Sequence, residues 1–210
     1  MATNFIDKYE SGSIFEIPLL DNYGYCYLKL HKFHTIENEF PVITPILRVI
    51  DYFSKSKLAD IKVLENINYT FTPLILLGNP RVKGRLGWRY KGSLPIKSID
   101  EIIPAFSFTM KYSALLGRNG LTINDVTWSK IRKLSMIKDS SIPATFDEIR
   151  GLGFWVHQNS IAICAKLTLL WAAKNNEPIE IEKMLIQEGI PNIIDIDLWE
   201  IMLSIENPNL

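Results

Sequence analysis

Between Phe154 and Lys174 the chain reads FWVHQNSIAICAKLTLLWAAK, with apolar residues on nearly every side of a helix drawn through it. A helix that is greasy all round is not a surface helix; it must be covered. Its most apolar run, Ile161 to Ala173, contains Lys166 and falls well short of the ~20 residues that cross a bilayer. The stretch therefore reads as a helix buried in protein.

The first half of the chain has a different period. Ser13 to Leu19 alternates Ile14 and Glu16 against Phe15 and Ile17, and Pro18 marks an edge or a strand end. Leu20-Asp21-Asn22-Tyr23-Gly24 supplies turn chemistry, and Tyr25 to Leu30 follows as a second strand, which together predict a hairpin. Val42 to Phe53 is rich in β-branched and aromatic residues but is split by Pro45, so a helix starting near Pro45 competes with a strand. Tyr69 to Leu77 is another apolar strand candidate. The fold class these patterns predict is α+β: an N-terminal antiparallel β-sheet or partial barrel, then an α-helical C-terminal part.

That C-terminal part is predicted from several signals. Thr122 to Lys138 is a candidate helical region, and Thr145 with Glu148 forms a capping-box pattern. Pro178 can open a helix that Gly189 closes, and Asp195 and Asp197 suit the start of a last one. A boundary between a β-rich region, 1–112, and a helical region, 113–210, falls near Leu116-Gly117-Arg118-Asn119-Gly120. The net charge of zero hides a polarity: residues 1–144 carry a surplus of +6 and residues 145–210 one of −6. Such halves can dock on opposite charge, including the other half of the same or a second molecule, so a homo-oligomer is one expectation.

The opening residues, MATNFIDKYESGS, lack a basic segment followed by an apolar one, which points away from a secretory signal. Cys26 and Cys164 match no metal or redox spacing and read as free, buried thiols in a reducing compartment. The expected location is the cytoplasm, with no membrane partner. His31 and His34 lie in HKFH, where a strand would turn them to opposite faces, a poor arrangement for one metal ion. His157 reads as a core or boundary histidine before the apolar helix, with a general base as the sharper alternative. The carboxylate pairs Asp100-Glu101 and Asp147-Glu148 sit where helix N-termini would want acid. No nucleophile elbow or phosphate loop is present. The expectation is a protein without catalytic residues, metal or cofactor; an enzyme of unknown reaction is the third-ranked reading.

The stretch NPRVKGRLGWRYKG, residues 79–92, concentrates Arg81, Lys83, Arg85, Arg89 and Lys91 with no acid among them. Gly84-Arg85-Leu86-Gly87 fits the G-x-x-G clamp of a nucleic-acid module, but that clamp sits between helices and these flanks are strand-like. From Leu86 the pattern alternates, placing Leu86, Trp88 and Tyr90 on a core face and Arg85, Gly87, Arg89 and Lys91 on a wet one. Aromatic rings facing a core cannot stack on bases, so nucleic-acid binding through the five cations is the second-ranked reading.

Two segments carry a family resemblance. Gly12-Ser13-Ile14-Phe15-Glu16-Ile17-Pro18-Leu19, followed by Asp21 and Gly24-Tyr25, is the first; Gly87-Trp88-Arg89-Tyr90-Lys91-Gly92-Ser93-Leu94-Pro95 is the second. Over roughly residues 11–110 the chain resembles the immunity protein 26 family of bacterial polymorphic toxin systems, with its G-x-[IV]-F-x-I-P-L hairpin and later W-x-x-x-G-x-x-P strand and turn. The resemblance implies an intracellular protein that binds and neutralises a cognate toxin without turnover. Because toxin nucleases are often basic, the acidic half is the expected contact surface, with Glu182, Asp195, Asp197 and Glu200 as its candidate residues.

Overall fold

A computed structural model describes residues 8–37, 40–70, 72–76, 79–108, 128–131, 141–154, 157–178 and 180–189. Among these residues six strands form the larger sheet: β1 (Ser13–Pro18), β2 (Tyr25–Glu37), β3 (Phe40–Ser54), β4 (Leu74–Leu76), β5 (Arg89–Ser93) and, from the second half, a two-residue strand His157–Gln158. Their spatial order is His157–Gln158, β4, β3, β2, β1, β5. All neighbours pair antiparallel except His157–Gln158, which runs parallel to β4 with His157 opposite Ile75. The predicted hairpin is present, with Ile17 opposite Cys26. Its turn places Asp21 and Asn22 in the left-handed region, where Asp and Asn are tolerated best. Gly24 is required there: its φ is +127°, and a Cβ would lie 2.2 Å from the Ser54 carbonyl oxygen.

Two expectations about these strands need correction. Pro45 does not split Val42 to Phe53, nor start a helix; the strand runs from Phe40 to Ser54 and pairs with β2, with one register shift between Ile50 and Phe53. Among the described residues β4 registers with β3 at Ile46 and Leu47, which leaves Pro45 just outside that pairing, a position that tolerates a missing N–H. Of the candidate strand Tyr69 to Leu77, β4 takes Leu74–Leu76, Thr72 and Pro73 lie outside it, Tyr69 is joined to Ile50 by an isolated bridge, and Phe71 and Leu77 lie outside the described residues.

Both faces of this sheet are covered, so every residue of β1 is buried in spite of its alternating pattern. Phe15, Ile17, Leu28, Leu30, Leu47 and Val49 point to one face, against the apolar helix. That helix runs Ser160–Asn175, and Ile163, Leu167, Leu170 and Trp171 share a single cluster with the sheet. It starts six residues later than Phe154 because Asn159 caps it, accepting hydrogen bonds from the backbone of Ile161 at 3.0 Å and Ala162 at 2.9 Å. Phe154, His157 and Gln158, read from sequence as part of the helix, lie instead on the short strands Gly153–Phe154 and His157–Gln158.

The described residues of the C-terminal part hold strands as well as helices. Phe106–Phe108, Trp128–Ile131, Ser141–Ala144 and Gly153–Phe154 form a second sheet, in which the Trp128–Ile131 strand lies antiparallel to its neighbours on both sides. Trp128–Ile131 falls inside the stretch 122–138 predicted as helical; pairing of Ile131 with Phe106 and of Trp128 with Ala144 overrides the local preference. The capping box is formed as read, with Thr145 N donating to Glu148 Oε2 at 2.8 Å, although its helix is the single turn Phe146–Ile149. A further helix, Ile181–Gln187, opens after Pro178 and ends at Gly189, whose φ is +69°. The remainder of 122–138, the boundary near 116–120 and the helix expected from Asp195 lie outside the described residues.

The 81–88 stretch that precedes β5 is a turn rather than the first half of a strand. Leu86 and Trp88 are buried and Trp88 packs on Phe15, as the alternation predicts. Tyr90 shares their face, opposite Phe15, yet is 49% exposed because, among the described residues, β5 is the last strand of its sheet. Replacing Trp88 with Ala leaves a cavity against Phe15 and should lower unfolding free energy by about 3–5 kcal/mol in a denaturant titration. A variant with an unchanged midpoint would remove Trp88 from the core.

Candidate functional site

Alternation dictates what the second face of the sheet must hold. With Phe15, Leu28 and Val49 pointing at the apolar helix, Glu16, Lys29, His31 and Arg48 are turned to the opposite side. Glu16 is 0%, Lys29 3% and Arg48 8% exposed, so this is a buried charged surface. Over Lys29 and Arg48 it is covered by residues 94–105, a strap without regular structure that crosses from β5 to Phe106.

One carboxylate ties the strap down. Asp100 is 1% exposed and accepts from Lys29 Nζ at 2.6 Å, from Lys97 N at 2.8 Å and from the Tyr69 hydroxyl. Lys29 also donates to the Pro95 carbonyl at 2.5 Å, and Arg48 donates to the Ile102 carbonyl at 2.7 Å. The Arg48 guanidinium lies 5.7 Å from the centre of the Tyr69 ring. Burial alone would raise the Asp100 pKa, but hydrogen bonds from Lys29, the Lys97 backbone and Tyr69 outweigh it and hold the carboxyl below its usual range. Burial, aided by the Asp100 charge, raises the Tyr69 phenol, and burial lowers Arg48 and His31. Beside this group, Glu16 accepts from Tyr27 at 3.2 Å and lies 3.8 Å from Lys91 Nζ. Burial pushes the Tyr27 phenol up to about 12.

The outer surface of the strap is the reverse of its inner one. Ile96, Ile99, Ile102 and Ile103 are 39%, 47%, 57% and 44% exposed. Asp100 N donates to Lys97 O at 2.9 Å and Glu101 N to Ser98 O at 3.3 Å, the three-residue spacing that stacks every third side chain. The segment thus buries its acid and exposes its isoleucines. What this geometry can do is hold: Lys29 and Asp100 each satisfy partners on both sides, and the strap offers an apolar surface on a fixed backbone.

The sequence-predicted residues are dispersed. Arg85 pairs with Glu188 beyond the helix Ile181–Gln187, and Lys91 donates to the Leu58 carbonyl at 2.7 Å, so neither is a free wet-face cation. Arg81, Lys83 and Arg89 are exposed. Glu182 lies on the helix Ile181–Gln187, whereas Asp195, Asp197 and Glu200 lie outside the described residues. His31 and His34 fall on β2 three residues apart, His34 exposed and His31 against Phe33 at a ring distance of 4.5 Å. Among the described residues no group of three or more His, Cys, Asp or Glu is arranged to hold a metal ion. Cys26 and Cys164 are buried and free; burial raises both thiols, Cys164 to about 12.

Asp100 is also a correction, since no helix follows it and its acid caps nothing but a turn. Its role is invisible locally because its chief partner is 71 residues away. Removing one partner from a buried pair strands the other charge, so Asp100→Asn should cost about 3–5 kcal/mol of stability. The pH sign follows from a folded pKa below the unfolded value of ~3.9: the contribution is full above that value and is lost as pH falls through the folded one. Denaturation midpoints measured from neutral pH downward should therefore fall more steeply below about pH 4 for the wild type than for Asp100→Asn; parallel curves would contradict the assignment. The chain as a whole matches no family model, no curated protein and no solved structure.

Proposed function

We propose that this is an intracellular, immunity-like binding protein that neutralises a cognate bacterial toxin by occupying it, without turnover. The observation that carries the reading is the pairing of the two segments that resemble the immunity family. They are hydrogen-bonded neighbours, β1 and β5, with Phe15 opposite Tyr90 and Ile14 opposite Gly92. The positions that define the resemblance are the ones this junction needs. A Cβ on Gly12 would stand 2.5 Å from the Leu94 carbonyl oxygen, Gly92 adopts φ +131°, Trp88 packs on Phe15, and the Pro95 carbonyl receives Lys29. The likeness therefore belongs to one three-dimensional unit, in which β5 leads straight into the strap.

A binder of this kind works through an apolar centre and a complementary charged rim. The acids Glu182, Asp195, Asp197 and Glu200 are the proposed contacts for a basic toxin. Co-expression with the product of an adjacent toxin-like gene should restore growth and yield a co-purifying pair; loss of both would overturn the proposal. Substituting the four acids with their amides should slow association and flatten its salt dependence while leaving the fold intact.

A nucleic-acid reading is favoured by one observation, the exposure of Arg81, Lys83 and Arg89 within nine residues. It requires binding of single-stranded RNA or DNA that weakens steeply with added salt. An absence of binding at low salt ends it.

A further inference from the structure

The strap from Ile96 to Ile103 reads Ile-Lys-Ser-Ile-Asp-Glu-Ile-Ile. Its Asp100 is buried, and Ile96, Ile99 and Ile102 are exposed on either side of a turn that spans Lys97 to Glu101. The charged residues beside these isoleucines are Lys97, partly exposed, and Glu101, exposed. About Ile99 the order is symmetric: two residues away on one side stands a cation, two residues away on the other an anion, and an isoleucine lies three away on each side.

A two-fold interface places residue i of one subunit against j of its partner, and j against i. A two-fold axis through Ile99 would lay Ile99 on itself and Ile96 on Ile102. The same operation sets Lys97 of each copy against Glu101 of the other. Every apolar residue meets an apolar one and every charge meets its opposite, while Asp100 stays locked beneath and repels nothing. The zero net charge of the whole chain adds no repulsion between copies.

We propose that the strap is a self-association surface, occupied by the strap of a second copy of this chain about an axis at Ile99. This goes beyond toxin binding and does not depend on it. The clamp of Lys29, Tyr69 and Arg48 fixes the strap before association, so little ordering remains to be done when the copies meet.

Sedimentation of the purified full chain over about a hundredfold range of concentration reads the outcome directly. The expected result is a reversible monomer–dimer equilibrium. Ile99→Asp sets two like charges on the axis and should weaken it by at least about tenfold, as should Lys97→Glu or Glu101→Lys alone. The double variant Lys97→Glu with Glu101→Lys should restore it, because exchange of the pair preserves the symmetry. Ile142→Asp, at an exposed isoleucine on the second sheet, is the control that should leave it unchanged. Circular dichroism of each variant separates lost association from lost folding. A chain that stays monomeric throughout overturns the proposal. So does a dimer indifferent to Ile99→Asp, or a charge exchange that fails to rescue, either of which would hand the strap to a different partner.

Discussion

The Asp100 carboxylate is the contact on which the arrangement of the strap depends. Between Leu94 and Phe106 it is the one residue of the segment that is buried. An apolar anchor would ordinarily serve, since a buried ion pair is often no more stabilising than a hydrophobic replacement of similar volume. Here the isoleucines that could have anchored the strap face outward. The inward direction is left to one acid, which must then find donors for its lone pairs. Lys29 on β2, Tyr69 before β4 and the Lys97 backbone supply them, while Arg48 on β3 holds the Ile102 carbonyl. The strap is thus sewn to two adjacent strands by charge and hydrogen bonding.

That choice follows from how the sheet spends its two faces. The helix Ser160–Asn175 is apolar enough to saturate one face with Ile163, Leu167 and Leu170. On the other, Ile14, Tyr27 and Ile50 form an apolar patch with Leu64 and Leu94, and Phe33, Ile46 and Ile75 form another with Phe106. Lys29 and Arg48 lie on that face between them in sequence register, Lys29 directly opposite Arg48. Two cations side by side in a buried layer repel each other unless an anion intervenes. Asp100 is that anion, so sheet and strap require each other: without the strap the cations would face an apolar layer unpaired, and without the cations the strap would have a stranded carboxylate.

What the sequence makes legible follows the range of the interactions involved. The hairpin at Leu20 to Gly24, the capping box of Thr145 and Glu148 and the buried character of Ile161 to Ala173 are local, written in neighbouring side chains. The α+β class follows from them. Long-range pairing is where reading fails. Trp128–Ile131 becomes a strand because Phe106 and Ala144 flank it. Pro45 is carried through β3 because β2 pairs with the residues on both sides of it, from Phe40 to Ile50. Tyr90 keeps its predicted face yet is half exposed, because a strand's alternation says which way a ring points and not whether another strand lies beyond. The clamp was hidden for a further reason: Glu16, Lys29 and Arg48 look like the wet side of half-buried strands, and only the presence of a second cover makes them buried.

The charge polarity of the chain acquires a different meaning in this light. A surplus of cations before residue 144 and of acids after it suggests that the halves meet, and some of that charge is neutralised internally: Arg85 pairs with Glu188, and Lys130 lies 3.8 Å from Glu148. The reverse pairing also occurs, with Lys174 of the acidic half bound to Asp51. Opposite halves are therefore a poor guide to how two molecules would join. The strap offers a more specific code, because its cation and anion sit within five residues on one rigid segment and flank a shared apolar centre. Exposed ion pairs contribute little by themselves. Set about isoleucines that exclude water, the same pair fixes register and orientation, and the isoleucines supply the attraction.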